Sequence, residues 1–318
     1  MRKYLKRIAI FQIPCIIYLL LIVVIDPYNY FPPTENIVNS ALKKEISYKY
    51  NYRLYKLLEF EKHPTSVIIL GDSRANNLND NVIRKYSKND YSNLSYGGGT
   101  IQEAIQTFWT VIEKVDLKEV YWGVNFNNYH NSFDMDKVSE SIVLKNNFLA
   151  YAFSKYTIKS SFLILKSLVF KSTPSLDKPS VSIEDYWVYM LDDLSDKYYS
   201  AYAYPQIYYE ELQRISEYCE NNNIRLVFFI SPTYIGFQRK VKEYNLQIEE
   251  SNFKRDLQNL GDLFDFDFPS EITLNKENFI DPMHFNPEVS ILITKEIFTS
   301  EIKYSHYSKM DIICKSKN

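Results

Sequence analysis

The feature that most restricts the fold is a series of short apolar runs, each cut off by turn residues. Ser66 to Leu70 (SVIIL), Tyr91 to Tyr96 (YSNLSY), Glu119 to Asn125 (EVYWGVN) and Arg225 to Ser231 (RLVFFIS) have the length and the aromatic or β-branched content of strands. Stretches with helical spacing lie among them, at 77–86, 101–115 and 208–222. Strand and helix in alternation predict an α/β layered fold with a parallel sheet. In such a sheet, ligands bind beyond the carboxyl ends of the strands, so the turn residues after each strand carry the first functional information.

Those turns hold a consistent set of groups. Gly71-Asp72-Ser73 follows the first strand, Gly97-Gly98-Gly99-Thr100 the second, and Gly123 and Asn125 close the third. A serine, a glycine-rich turn and an asparagine would thus meet at one sheet edge, as a nucleophile with donors for an oxyanion. A base is also needed, and the chain has four histidines. His63 precedes a proline, His130 opens the segment after the third strand, and His306 sits near the polar end. His284 lies in FIDPMHFNPEVS ahead of a final helix at 287–298, with Asp281 three residues earlier. That spacing sets a carboxylate against one imidazole nitrogen and leaves the other for a serine brought from elsewhere. Singly, each has a plainer reading: Ser73 as a helix cap, Asp281-Pro282 as a turn, Gly97 to Gly99 as a flexible loop.

Taken in order, the segments resemble the SGNH, or GDSL, hydrolase superfamily. Gly71-Asp72-Ser73-Arg74 is similar to its first block, NLSYGGGT to its second, Gly123-Val124-Asn125 to its third and Asp281-Pro282-Met283-His284 to its last. The resemblance spans roughly residues 66–298. It implies a three-layer α/β/α sandwich with a mainly parallel central sheet, flavodoxin-like in layout. It also implies catalytic Ser73, His284 and Asp281, an oxyanion hole from Ser73, Gly98 and Asn125, and no cofactor. Arg74 stands where the family usually has Leu, and Phe126 where many members have Asp. These departures bear on the substrate, and Arg74 is a candidate for binding an anionic group on it or for covering the edge of the sheet.

The amino-terminal end adds a location. Past Arg2, Lys3, Lys6 and Arg7, the segment Ile8 to Ile25 carries no charge and approaches the length of a membrane-crossing helix. It reads as an uncleaved signal anchor over residues 1–26, with the body of the protein on the extracytoplasmic side of the cell membrane; a cleaved signal peptide and a buried core helix are the alternatives. A connector at 27–64 with one helical stretch, a catalytic domain at 65–300 and a polar tail at 301–318 complete the expected division. Within the domain, residues of about 127–205 break the strand–helix rhythm and read as a helical insertion, either a lid or surface-facing element or an extra packing layer. Lys155, Lys159 and Lys166 interrupt its apolar stretch, which argues against a second crossing.

Other functions are disfavoured. A formal charge of −2 leaves no footprint for nucleic acid. Cys15 falls in the anchor, so Cys219 and Cys314 are the only possible pair and no disulfide framework exists. Asp265 and Asp267 read as solvated or capping residues, and no spacing suggests a metal site. The 28 Tyr and 20 Phe read mainly as core and compositional bias, with sugar stacking the functional alternative. The expected function is a membrane-anchored serine esterase or O-acyltransferase acting on an O-acylated envelope polysaccharide or related polymer. Some anchored members of the superfamily work beside a membrane-bound O-acyltransferase, and the layout is distantly similar to that of the D-alanyl transfer protein of teichoic acid. The competing expectation is a non-catalytic glycan-binding or scaffold protein beside such an acyltransferase.

Overall fold

The structure, a computed structural model, describes residues 2–31, 38–131, 135–170 and 182–310. In chain order it has helices α1 (Arg2–Ile25) and α2 (Ser40–Lys62), strand β1 (Val67–Leu70), helices α3 (Ser73–Asn76) and α4 (Asp80–Tyr86), and strand β2 (Tyr91–Asn93). Helix α5 (Ile101–Val111) and strand β3 (Glu119–Gly123) follow. Among the described residues, helices α6 (Val138–Asn146), α7 (Phe148–Ala152), α8 (Lys155–Phe170), α9 (Ile183–Tyr189), α10 (Ser195–Tyr199) and α11 (Gln206–Asn221) come next. Strand β4 (Arg225–Ile230), helices α12 (Ile235–Glu243) and α13 (Gln247–Leu260), and strand β5 (Asp262–Asp265) continue the chain. It closes with α14 (Glu271–Leu274), β6 (Phe279–Asp281), β7 (His284–Phe285), α15 (Pro287–Thr299) and β8 (His306–Ser308).

Two compact units result, one from Met1–Pro64 with Lys137–Lys178, the other from Thr65–Asp136 with Pro179–Asn318. The segment expected as an insertion at about 127–205 is therefore divided: 137–178 belong with the amino-terminal region, and its remaining residues belong with the sheet. The Ser/Pro-rich stretch 171–180 and Cys314 lie outside the described residues.

The second unit is α/β with a mainly parallel sheet, in the order β2-β1-β3-β4-β5-β8. All neighbours are parallel except β5 and β8. Val67, Ile69, Tyr121, Val227, Phe229 and Phe264 point into one core with Ile83 of α4 and Val289, Ile293 and Ile297 of α15. Their alternates Ile68, Leu70, Val120, Trp122, Phe228 and Ile230 are equally buried, so the sheet is covered on both faces. That is why the strands read as near-continuous apolar runs. The strand order reverses direction between β1 and β3, and a crevice forms at such a switch point beyond the strand ends. The end expected as a polar tail contributes β8, an antiparallel edge strand, where His306 stacks on Phe268 with ring centroids 3.7 Å apart.

Helices make up the first unit. Asn51 (φ −151°, ψ 79°) leaves the helical region and bends α2, and its side chain accepts a bond from Leu54 N. Ile22, Tyr28, Leu54, Leu58 and Tyr151 share a small core in which Tyr30 stacks on Tyr151 at 4.3 Å. The expected transmembrane helix forms as a helix, α1, with Pro14 inside it. Among the described residues, however, no helix is long and apolar enough to cross a membrane. Toward its carboxyl end α1 also spends apolar side chains on protein: Ile22 and Ile25 are buried in this unit.

Candidate active site

The turn after β1 is built by close approach. Gly71 sits at φ +137°, and a Cβ there would lie 2.6 Å from Gly123 O and 2.8 Å from Ala75 Cβ. Only glycine fits both the dihedral and the space. Asp72 then caps α3, its carboxylate accepting from Arg74 N at 2.8 Å. The cap is therefore Asp72, and Ser73 is the first helical residue with its hydroxyl free to point outward. The plainer reading of Ser73 as a helix cap is excluded by this geometry.

From the far end of the chain, β6 and β7 form a tight antiparallel ribbon that pairs Asp281 with His284. Tyr234 N donates to Pro282 O (2.9 Å) and Trp187 Nε1 donates to Ile280 O (3.2 Å), which pins the ribbon to the sheet unit. His284 Nε2 lies 2.6 Å from Ser73 Oγ, and His284 Nδ1 lies 2.9 Å from both Asp281 oxygens. Asp281 Oδ1 also accepts from the backbone N–H groups of Met283 and His284. A carboxylate can only accept, so it fixes the imidazole proton on Nδ1 and leaves Nε2 to accept from the serine hydroxyl. Burial works to raise the Asp281 pKa, but its bonds from His284 and the backbone win, holding the carboxyl below its ordinary range.

Ser73, His284 and Gly98 line one cleft of about 330 Å³, together with Arg74, Asn127, Asn128, Tyr186, Met190 and Tyr198. Gly98 adopts a left-handed φ of +61°, and Thr100 ends its loop by capping α5 in a reciprocal box with Glu103. Asn125 does not reach this cleft as expected. Its oxygen accepts from Ser231 N at 3.0 Å and its nitrogen donates to Asp72 at 3.3 Å, leaving it 3% exposed. It borders a separate small hollow with Gly71, Asp72 and Thr100. Asn127 and Asn128 stand at the cleft instead. The doubled asparagine in NFNNYH was the available sequence signal, and the aromatic run DYWVYM was the signal for Tyr186 and Met190.

Arg74 lies neither on the surface nor across the sheet edge. It is 1% exposed, forked onto Asp72 through Nε (3.0 Å) and Nη2 (2.5 Å), with Nη2 also donating to Asn127 at 2.9 Å. Asp72 accepts in addition from Asn128 at 2.9 Å, so this pair ties the loops after β1 and β3 together. Burial alone would raise the Asp72 pKa; the Arg74 guanidinium overrides it and keeps the carboxylate ionised, with its pKa below the ordinary value. Arg74 Nη1 is buried with no hydrogen-bond partner.

The remaining candidates serve structure. Asp265 is buried and paired with Lys254 at 2.8 Å, and Asp267 accepts from Thr233 and Gln238, so neither is simply solvated. His63 ends α2 and His130 is buried at 2% exposure. Among the described residues no group of His, Cys, Asp and Glu could hold a metal ion.

No protein-family model matches the chain, and no curated protein matches it in sequence. Solved structures do. A G-D-S-L family protein from Desulfitobacterium hafniense is 14% identical, covering 74% of this chain and 97% of its own, with a TM-score of 0.37. A GDSL-like lipase from Bacteroides thetaiotaomicron is 11% identical over 80% of this chain and 97% of its own (TM-score 0.34). An acetyl xylan esterase is 10% identical over 74% and 99% (TM-score 0.30). At these scores the likeness carries no weight of its own.

Proposed function

We propose that the chain is a serine esterase of the SGNH type, working at the extracytoplasmic face of a membrane on an O-acylated envelope polysaccharide or related polymer. One observation carries the catalytic part: the unbroken relay from Ser73 through His284 to Asp281, at 2.6 and 2.9 Å, opening on a cleft. In the proposed reaction the Ser73 oxygen attacks the ester carbonyl while His284 Nε2 takes its proton. The Ser73 and Gly98 N–H groups, with an amide from the 125–128 loop, hold the oxyanion; one such donor is worth about a hundredfold or more in turnover. Collapse breaks the ester bond, His284 returns the proton to the departing alcohol, and an acyl-serine remains. Water then regenerates the enzyme; a sugar hydroxyl in its place makes the chain a transferase.

Support for a carbohydrate substrate comes from Tyr186 and Tyr198, which offer rigid aromatic faces along the cleft. The uncharged segment Ile8 to Ile25 supports the membrane location, and a membrane-bound O-acyltransferase is the proposed protein partner. Ser73→Ala is the deciding variant, assayed on p-nitrophenyl acetate and on isolated acylated polymer. Loss of release from both is expected. Turnover unchanged by the substitution would sink the catalytic reading, and polymer binding retained without any turnover in the native chain would favour the scaffold.

A further inference from the structure

Helix α8 is built inside out. Its buried residues are Thr157, Ser160, Ser161, Ile164 and Ser167, four of them small and polar. Its exposed residues include Ile158, Phe162, Leu165 and Val169, which at i, i+4, i+7 and i+11 form one stripe; Phe162 is 65% and Val169 66% exposed. A helix of a water-surrounded protein turns such a stripe inward. Small residues facing the protein, with large apolar ones facing out, are what helices use where the surroundings are hydrocarbon. Tyr28 OH bonding to Ser160 Oγ at 3.2 Å shows that the small polar face is the packed one.

A second feature identifies what covers the stripe. Lys155, Lys159 and Lys166 project about 50 to 90° round the helix from the centre of that stripe, all on the same side of it, and α8 contains no acidic residue. Lys159 rests over the Tyr50 ring at 4.5 Å, so its stem is already laid along the protein surface. Helix α1, which packs on α8, exposes Ile13, Ile16, Ile17 and Leu20 as well. An apolar stripe edged by lysines matches acyl chains beneath anionic headgroups, the lysine stems snorkelling to the charge.

We propose that α8 lies in the plane of an anionic bilayer beside α1, with Ile158, Phe162, Leu165 and Val169 among the acyl chains and the three lysines against phosphate headgroups. The inference rests on the reading that the chain works at a membrane. It does not require α8 to cross: a 16-residue helix is shorter than a bilayer core.

The test uses the full chain with Cys15→Ser, Cys219→Ala and Cys314→Ser, carrying one fluorophore at Phe162→Cys, Leu165→Cys or, as control, Glu217→Cys on α11. Vesicles of phosphatidylglycerol and phosphatidylcholine with brominated acyl chains supply the quencher, and p-nitrophenyl acetate turnover checks each variant's fold. Quenching at 162 and 165 at least about twofold above position 217 is expected, falling when Lys155, Lys159 and Lys166 are changed to Gln. Three outcomes overturn the inference. Co-flotation with vesicles but no quenching at 162 or 165 removes α8 from the lipid and leaves the membrane reading standing. Failure to float at all removes both. Disulfide-linked dimers formed through Phe162→Cys assign the face to a second copy instead.

Discussion

Helices α5 and α8 are similarly apolar and opposite in construction. Helix α5 buries Ile101, Ala104, Ile105, Phe108 and Val111 beside the sheet, the pattern expected where water lies outside. Helix α8 buries hydroxyls and presents Ile158, Phe162, Leu165 and Val169 outward. Each belongs to a different unit: one holds the cleft of Ser73 and His284 beside a dry core, and in the other the large apolar side chains of α8 are exposed. Apolar content alone would rank the two helices alike; only the direction of the side chains distinguishes them.

The largest effect should fall wholly on the sheet unit. His284→Ala is expected to lower p-nitrophenyl acetate turnover by about a millionfold while vesicle flotation stays unchanged, since the relay fails without its base. A variant within tenfold of the parent would end the distinction on the catalytic side. Asp281→Asn should cost about ten-thousandfold in the same assay, because an amide at that position no longer dictates the imidazole tautomer. Thermal unfolding checked in parallel should show that His284→Ala remains folded.

Stability offers a direct comparison of the two helices. Phe108 is fully buried, so Phe108→Ala should cost about 3–5 kcal/mol by urea unfolding in the absence of lipid. Phe162→Ala, at a position already open to solvent, should stay within about 0.5 kcal/mol. Equal costs would show that α8 is covered by protein after all. The smallest effect concerns acid. Because the folded state holds the Asp281 pKa below its ordinary value, the stability this carboxylate contributes is present above the unfolded pKa of about 4 and lost as pH falls through the depressed one. The stability gap between parent and Asp281→Asn, measured by urea titration, should therefore narrow from pH 7 to pH 3; a gap that widens would reverse the assigned sign.

Much of the sheet unit was legible in the sequence. Strands buried on both faces must be apolar throughout, and turns of fixed geometry must carry Gly71 and Gly98, so both left marks in the order of residues. The pairing of Asp281 with His284 was readable because it spans three residues. The surroundings of Asn125 were not readable, for the opposite reason. Whether an asparagine side chain faces a cleft or satisfies Ser231 N and Asp72 depends on neighbours more than fifty residues away, and Asn127 and Asn128 offer the same chemistry two and three positions on. The burial of Arg74 was not readable, since its partner Asp72 lies only two residues back but the surroundings that hide both are assembled from the β3 loop.

By itself the sequence determined the alternation of strand and helix, the residues able to form an acyl-transfer relay, and the uncharged amino-terminal run. Local spacing decides these, because helix and strand periods and turn dihedrals are fixed by the backbone. Tertiary structure alone decided that Ser73 meets His284 across more than two hundred residues, that 137–178 join the amino-terminal unit, and that α8 turns its apolar face outward. A helical stripe has no inside or outside until the rest of the chain supplies a surface for it to face.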